Sequence, residues 1–223
     1  MSEGRLKMSV MEQPNTHGEH AQKAHDSLMK IGEITVAFAG VERATYYPGN
    51  RPENDVEHSF HLAASAIEMA ATYHPELDTG LVAQFSLVHD LPEVITGDIP
   101  TFNITSEARA AKEAAEKLAT DELLRDLPPH LAQLLQRYEE QREPEARFVR
   151  FIDKLLPAVI HSVATDANKD VFRRVYKLNS VEDVQADRIE RTALLQAMFP
   201  EFQFVHIVRE LVSQTSRKRI FSD

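Results

Sequence analysis

Apolar positions recur along this chain mostly at spacings of three and four, the period of a helix with one buried face. Leu28, Ile31, Ile34, Phe38 and Val41 form the first such stripe, behind a cap at Asp26 or Ser27, with Gly40 marking its end. The next segment, from Arg43 to Asn54, holds Tyr46, Tyr47, Pro48, Gly49 and Pro52 and reads as loop composition. Asn54 or Asp55 then caps a helix from Val56 to about Tyr73, whose apolar stripe is Val56, Phe60, Ala63, Ile67 and Ala70; His74-Pro75 stops it. Asp78 or Thr79 opens a third helix. Its run Leu81-Val82-Ala83-Gln84-Phe85-Ser86-Leu87-Val88 is apolar enough to be buried, and it ends on His89-Asp90.

Downstream, Thr101 to Ser106 is a connector, and Ser106 caps a helix from Glu107 to Leu124 that is rich in Ala, Glu and Lys and is expected to be mostly exposed. Leu127-Pro128-Pro129-His130 is a break before a short helix from Leu131 to Glu140. From Glu145 to about Asp166, Phe148, Val149, Phe151, Ile152, Leu155, Leu156, Val159, Ile160 and Val163 cover most of a helix's circumference. Such a helix is surrounded by others, and Pro157 is expected to kink it or free a carbonyl near position 153. Two helices, around Val181 to Met198 and Phe202 to Gln214, complete the pattern. No strand-like alternation of any length, internal repeat or interior linker interrupts it. The expectation is an all-α bundle of roughly seven to nine helices. One domain is placed at residues 26–215, between a flexible N-terminal tail, 1–25, holding His17, His20 and His25, and a C-terminal tail, 216–223.

Composition narrows the chemistry. A chain of 223 residues supports one sizeable core, and its 7 glycines argue against a turn-rich β protein. There is no cysteine, so any metal must be held by His, Asp and Glu. The net charge of −10 disfavours a nucleic-acid polymer as partner. A small anionic substrate stays compatible, because a divalent ion and an arginine reverse the sign locally. Met1 to Gln22 has no signal-peptide layout and no run is long enough to span a membrane, so a soluble, cytoplasmic protein is expected.

Asp153 shares a helical stripe with Val149, Leu156 and Ile160, and a carboxylate on an apolar face is costly unless paired or metal-bound. Arg150 and Lys154, the near partners in sequence, point elsewhere on a helix. With His58, His89 and Asp90 it makes a set of two imidazoles and two carboxylates, which suits a six-coordinate site with open positions for water and substrate. These donors fit Mn, Fe, Co, Ni, Mg or Zn and do not choose among them. Glu93, Asp98 and Thr101 follow closely on the His-Asp pair. His61, one turn after His58, and His161, two turns after Asp153, read either as ligands of a second metal or as satisfied histidines.

The order His58, His89-Asp90, Asp153 resembles the HD-domain metal-dependent phosphohydrolases. Glu57-His58-Ser59, followed by His89-Asp90-x-x-Glu93-Val94-x-Thr96-Gly97-Asp98-x-Pro100-Thr101, is similar to the 5′-deoxynucleotidase branch, over roughly residues 28 to 165. The resemblance implies a helical hydrolase that removes phosphate from deoxynucleoside 5′-monophosphates with one divalent metal ion on His58, His89, Asp90 and Asp153. It implies that Glu93 handles the proton of the attacking water and that Arg43 orients the phosphate. Asp98, Ile99, Pro100 and Thr101 would line the sugar pocket, with Asp98 accepting from the 3′-hydroxyl. The family's arginine is followed by tryptophan; here Ala44 follows Arg43, and Tyr46 or Tyr47 is the available aromatic surface. A homodimer is also implied, with Phe199, Phe202, Phe204, Val205, Ile207 and Val208 serving as interface or as core. Two other readings use the same residues: hydrolysis of a nucleoside triphosphate, cyclic dinucleotide or alarmone, and a non-catalytic metal-stabilised helical protein.

Overall fold

The computed structural model describes residues 16–99, 105–174 and 181–221. Pro100 and Thr101 lie outside them. The fold is a helical bundle with one small antiparallel hairpin. In chain order the elements are α1 (Thr16–Phe38), β1 (Glu42–Tyr47), β2 (Arg51–Asn54), α2 (Asp55–Tyr73), α3 (Thr79–Val88), α4 (Glu93–Thr96), α5 (Ser106–Leu123), α6 (Pro129–Glu140), α7 (Pro144–Asp153), α8 (Leu156–Val163), α9 (Thr165–Arg174), α10 (Val181–Met198) and α11 (Gln203–Phe221).

Helix α3 is the centre. It packs against α2, α6 and α7, and its Val82, Phe85 and Val88 are buried with Leu62, Leu135, Phe148, Phe151 and Ile152. The expected caps form at both ends of this region. Asn54 accepts from Glu57 N–H while the Glu57 carboxylate accepts from Asn54 N–H, a closed capping box on α2. The Asp78 side chain accepts from the N–H groups of Gly80 and Leu81 at the start of α3. The cap of α5 is Thr105 rather than Ser106.

Four readings of the sequence are corrected. The 43–54 loop is a hairpin, turned at Gly49 (φ 86°) and Asn50 (φ 58°). Two successive residues at positive φ make the tight turn that matches strand twist, and Pro52 is tolerated because both strands are edges. The stripe of α2 is set off by one position: Phe60 is 73% exposed, and the buried face is His58, Ser59, Leu62, Ala66 and Ala70. What read as one helix from 145 to 166 is two, because Pro157 starts α8 after a break at Lys154-Leu155. Helix α1 begins at Thr16, so His17, His20 and His25 are helical and exposed, and α11 runs on to Phe221. Glu19, Ala21, Gln22, Lys23 and Ala24 sustain the α1 extension without an apolar stripe.

Phe199, Phe202 and Val205 are buried in the core, whereas Phe204 and Ile207 are exposed. No helix among the described residues is long and apolar enough to cross a membrane.

Candidate metal centre

Three helix segments deliver the four expected ligands to one point. His58 stands in the first turns of α2, His89-Asp90 follow the last turn of α3, and Asp153 ends α7. One donor atom from each of these residues lies within 4.8 Å of the others. His58 Nε2 is 2.9 Å from Asp153 Oδ1 and 3.9 Å from Asp90 Oδ2; His89 Nε2 is 4.0 Å from Asp153 Oδ1. The two imidazole rings are 5.3 Å apart.

The tautomer of His89 follows from its surroundings. Its Nδ1 is 2.9 Å from the Ser86 carbonyl, which can only accept, so Nδ1 carries the proton and Nε2 offers a lone pair. That Nε2 is buried and makes no aligned hydrogen bond, although Asp90 Oδ2 is 2.8 Å away. A lone pair aimed into a cluster of carboxylates, with nothing donating to it, fits a bound cation.

The charge around the site points the same way. Burial alone raises a carboxylate, yet Asp153 is held well below the usual range by Lys154, His58 and His89. Asp90 is likewise lowered against burial, by His89 and Arg43. His89 is raised because Asp90 and Asp153 outweigh its burial; without a metal the cation these carboxylates favour at Nε2 is a proton, which a bound metal ion would displace. Asp55, almost fully enclosed, is pushed up to about 6 by burial in spite of Arg43. Glu93 is pushed up to about 10 by burial, with Asp90 and Asp98 adding like charge. Asp98 is raised by burial too, and accepts a hydrogen bond from the Ala44 N–H.

Arg43 is the cation these groups share. From β1 its Nη1 donates to Asp55 Oδ1 at 2.8 Å and to Asp90 Oδ2 at 2.9 Å, and lies 3.5 Å from Glu93 Oε2. Desolvation works against its charge, but Asp90, Asp98, Glu93 and Asp153 raise it well above the ordinary value.

The turn from His89 to Asp98 explains how Glu93 faces the four expected ligands. Proline has no N–H to bond within a helix, so Pro92 starts α4 instead of continuing α3. The Glu93 N–H donates to the Asp90 carbonyl at 2.8 Å. Gly97 at φ 70° then ends the turn, its N–H on the Glu93 carbonyl, and sends Asp98 back toward Ala44.

Lys154 is a correction to the sequence reading. Its Nζ donates to Asp153 Oδ2 at 2.6 Å, because α7 ends at Asp153 and the helical rule for neighbours lapses there. Asp153 keeps Oδ1 for His58. His61 and His161 fall outside the groups of close metal-binding donors found among the described residues. Ile99 is exposed beyond Asp98. Tyr47 donates to Glu53, and the Tyr46 backbone is bound by Asn168.

Three residues that the sequence reading did not place at the site take part. Glu53 is buried, accepts from Thr45 and Tyr47, and stands 3.8 Å from His58 Nδ1. Asp55 joins Asp90 and Glu93 in a second acidic group. Lys112 of α5, expected on an exposed helix, has a side chain only 12% exposed and lies 3.8 Å from Glu93 Oε1.

Comparison with known proteins bears on this arrangement. A family model described as HD domain matches residues 40–196. The 5′-deoxynucleotidase HDDC2 of Homo sapiens is 35% identical over 106 residues, 47% of this chain and 50% of that protein. Its counterpart in Xenopus laevis is 33% identical over 135 residues, 59% of this chain and 66% of that protein. The chain spans about half the length of the mammalian relatives it matches. A crystal structure described as a predicted metal-dependent phosphohydrolase from Magnetospirillum magnetotacticum MS-1 shares the fold. Its TM-score is 0.68 at 23% identity, over 88% of this chain and 94% of that one.

Proposed function

The chain belongs to the family of HD-domain proteins, and we propose that it removes phosphate from deoxynucleoside 5′-monophosphates. The supporting observation is the junction of a four-residue donor set, His58, His89, Asp90 and Asp153, with a buried acid, Glu93, that is flanked by cations. Relatives named 5′-deoxynucleotidase support the substrate class.

Those four residues would hold one divalent ion. When bound, such an ion lowers the pKa of water and neutralises phosphate charge. Glu93 takes a proton from the attacking water and returns one to the departing 5′-oxygen as the phosphorus–oxygen bond breaks. Arg43 and Lys112 on either side of Glu93, together with a divalent ion on the four donors, offset the like charge of Asp90 and Asp98 and so favour the carboxylate form that takes this proton. Arg43 donates to the phosphate oxygens with a planar fork. Asp98 accepts from the sugar 3′-hydroxyl.

The test is phosphate release from a panel of ribo- and deoxynucleoside monophosphates, with Mn²⁺, Co²⁺ or Mg²⁺ added in turn. Release from deoxy substrates, dependent on added metal, is expected. No release from any monophosphate would sink the proposal and direct attention to triphosphates and cyclic dinucleotides.

A further inference from the structure

We propose that Lys112 is a second cationic contact for the substrate phosphate, on the side of Glu93 opposite Arg43. The inference rests on reading the site as a phosphohydrolase centre.

Helix α5 lies against α4 and brings Lys112 to Glu93 from a different element than the hairpin that brings Arg43. The two cations divide the carboxylate between them. Lys112 Nζ is 3.8 Å from Oε1, and Arg43 Nη1 is 3.5 Å from Oε2. A phosphate attacked by water beside Glu93 must place its oxygens next to that carboxylate, within reach of both. Arg43 enters this event already shared between Asp55 and Asp90. Even with a divalent ion on the four donor residues, a dianion arriving among Asp90, Glu93 and Asp98 gains from a cation beyond that shared guanidinium.

Lysine is seldom buried as far as this without a partner or a task. The close partner of Lys112 is Glu116, at 2.7 Å, one turn along the same helix and one-third exposed. Ion pairs of this spacing are weak, because they are partly solvated and cost side-chain freedom. Lys112 can therefore leave Glu116 for a phosphate oxygen at small cost, using a flexible stem and three donors. A purely structural lysine would pin α5 to Glu93 and be indifferent to phosphate.

Inorganic phosphate is the probe. The full chain, loaded with Mn²⁺, is titrated with phosphate and separately with a deoxynucleoside that lacks phosphate. K112M should weaken phosphate binding by about tenfold or more, the worth of one charge-assisted hydrogen bond. Affinity for Mn²⁺ and for the deoxynucleoside should not change, and K112R should restore most of the phosphate affinity. E116Q keeps Lys112 and removes its competitor, so it should tighten phosphate binding by roughly threefold. If K112M fails to fold, K112R and E116Q carry the test. Phosphate affinity unchanged in K112M and E116Q, or no phosphate binding by the unaltered chain, overturns the proposal. A protein that hydrolyses no monophosphate, yet binds phosphate through Lys112, sinks the substrate reading and leaves this one standing. An active protein indifferent to K112M does the reverse.

Discussion

Asp153 stands where α7 stops, and its two oxygens divide the work: Oδ1 faces His58 and Oδ2 takes Lys154. Its place among apolar neighbours made it legible in the sequence, because a carboxylate there needs a charge to answer it. His58, His89 and Asp90 were legible by the same chemistry. Glu93 carries the sharpest expectation at this scale. Glu93→Ala should lower kcat by about 10²–10⁴-fold, the usual worth of a positioned acid–base group. Mn²⁺ binding, measured by titration calorimetry, should persist, since Glu93 is not one of the four proposed ligands. Equal turnover in that variant would remove Glu93 from the mechanism. Glu53, Asp55 and Lys112 were not legible, for a common reason. An acid in a turn-rich segment, or a lysine on an Ala/Glu/Lys helix, looks solvated until another element packs over it. Here those elements are α2 for Glu53, β1 with Arg43 for Asp55, and α4 for Lys112.

The hairpin is the element the linear pattern hid. Its strands are short, and Pro48, Gly49 and Pro52 masked the alternation that would have marked them. What holds it lies more than a hundred residues away in sequence. Asn168 of α9 accepts from Tyr46 N–H at 2.9 Å and donates to the Tyr46 carbonyl at 2.7 Å, supplying to β1 the pair of bonds a neighbouring strand would make. The same amide also donates to the Ala164 carbonyl at 2.8 Å. No local pattern could announce a side chain that mimics a strand. Asn168→Ala should leave buried backbone groups on β1 without partners, at a cost of about 1–3 kcal/mol each. Because β1 also carries Arg43, the variant should lower both the melting temperature and kcat. Asn168→Asp keeps the acceptor and loses the donor, and should fall between. A variant that melts lower but turns over normally would show that the hairpin holds Arg43 without Asn168. The helices around it were easier to foresee: caps at Asn54 and Asp78 are local chemistry, and so is the disturbance expected at Pro157, although it separates two helices where a kink in one was expected. The buried face of α2 was not, because it is chosen by His58 and not by the larger Phe60.

At the scale of the whole molecule, two buried titrations pull stability down at opposite ends of the pH range. His161 of α8, outside the proposed ligand set, is pushed down to about 3 by burial. Between that value and its ordinary 6.5, the unfolded chain binds a proton that the folded chain does not. Stability is therefore lost as pH falls below the unfolded value, by up to about 1.4 kcal/mol per pH unit. Glu93 has the opposite sign. Raised to about 10 from 4.5, it stays protonated in the folded metal-free protein where the unfolded chain has released its proton. Stability is then lost as pH rises through that window. The chain already carries a net charge of −10, which does nothing to relieve the alkaline limb. Urea midpoints measured with chelator present should pass through a maximum and fall on both sides. Glu93→Gln should flatten the alkaline limb and leave the acid limb alone; His161→Gln should do the converse. Mn²⁺ should partly flatten the alkaline limb without any substitution, because burial is the larger cause of the raised Glu93 and the metal answers only the like charge of the neighbouring carboxylates that adds to it. An alkaline limb indifferent to both Mn²⁺ and Glu93→Gln would mean that the acidic cluster does not govern stability, and with it would go the argument that this cluster is built around a cation.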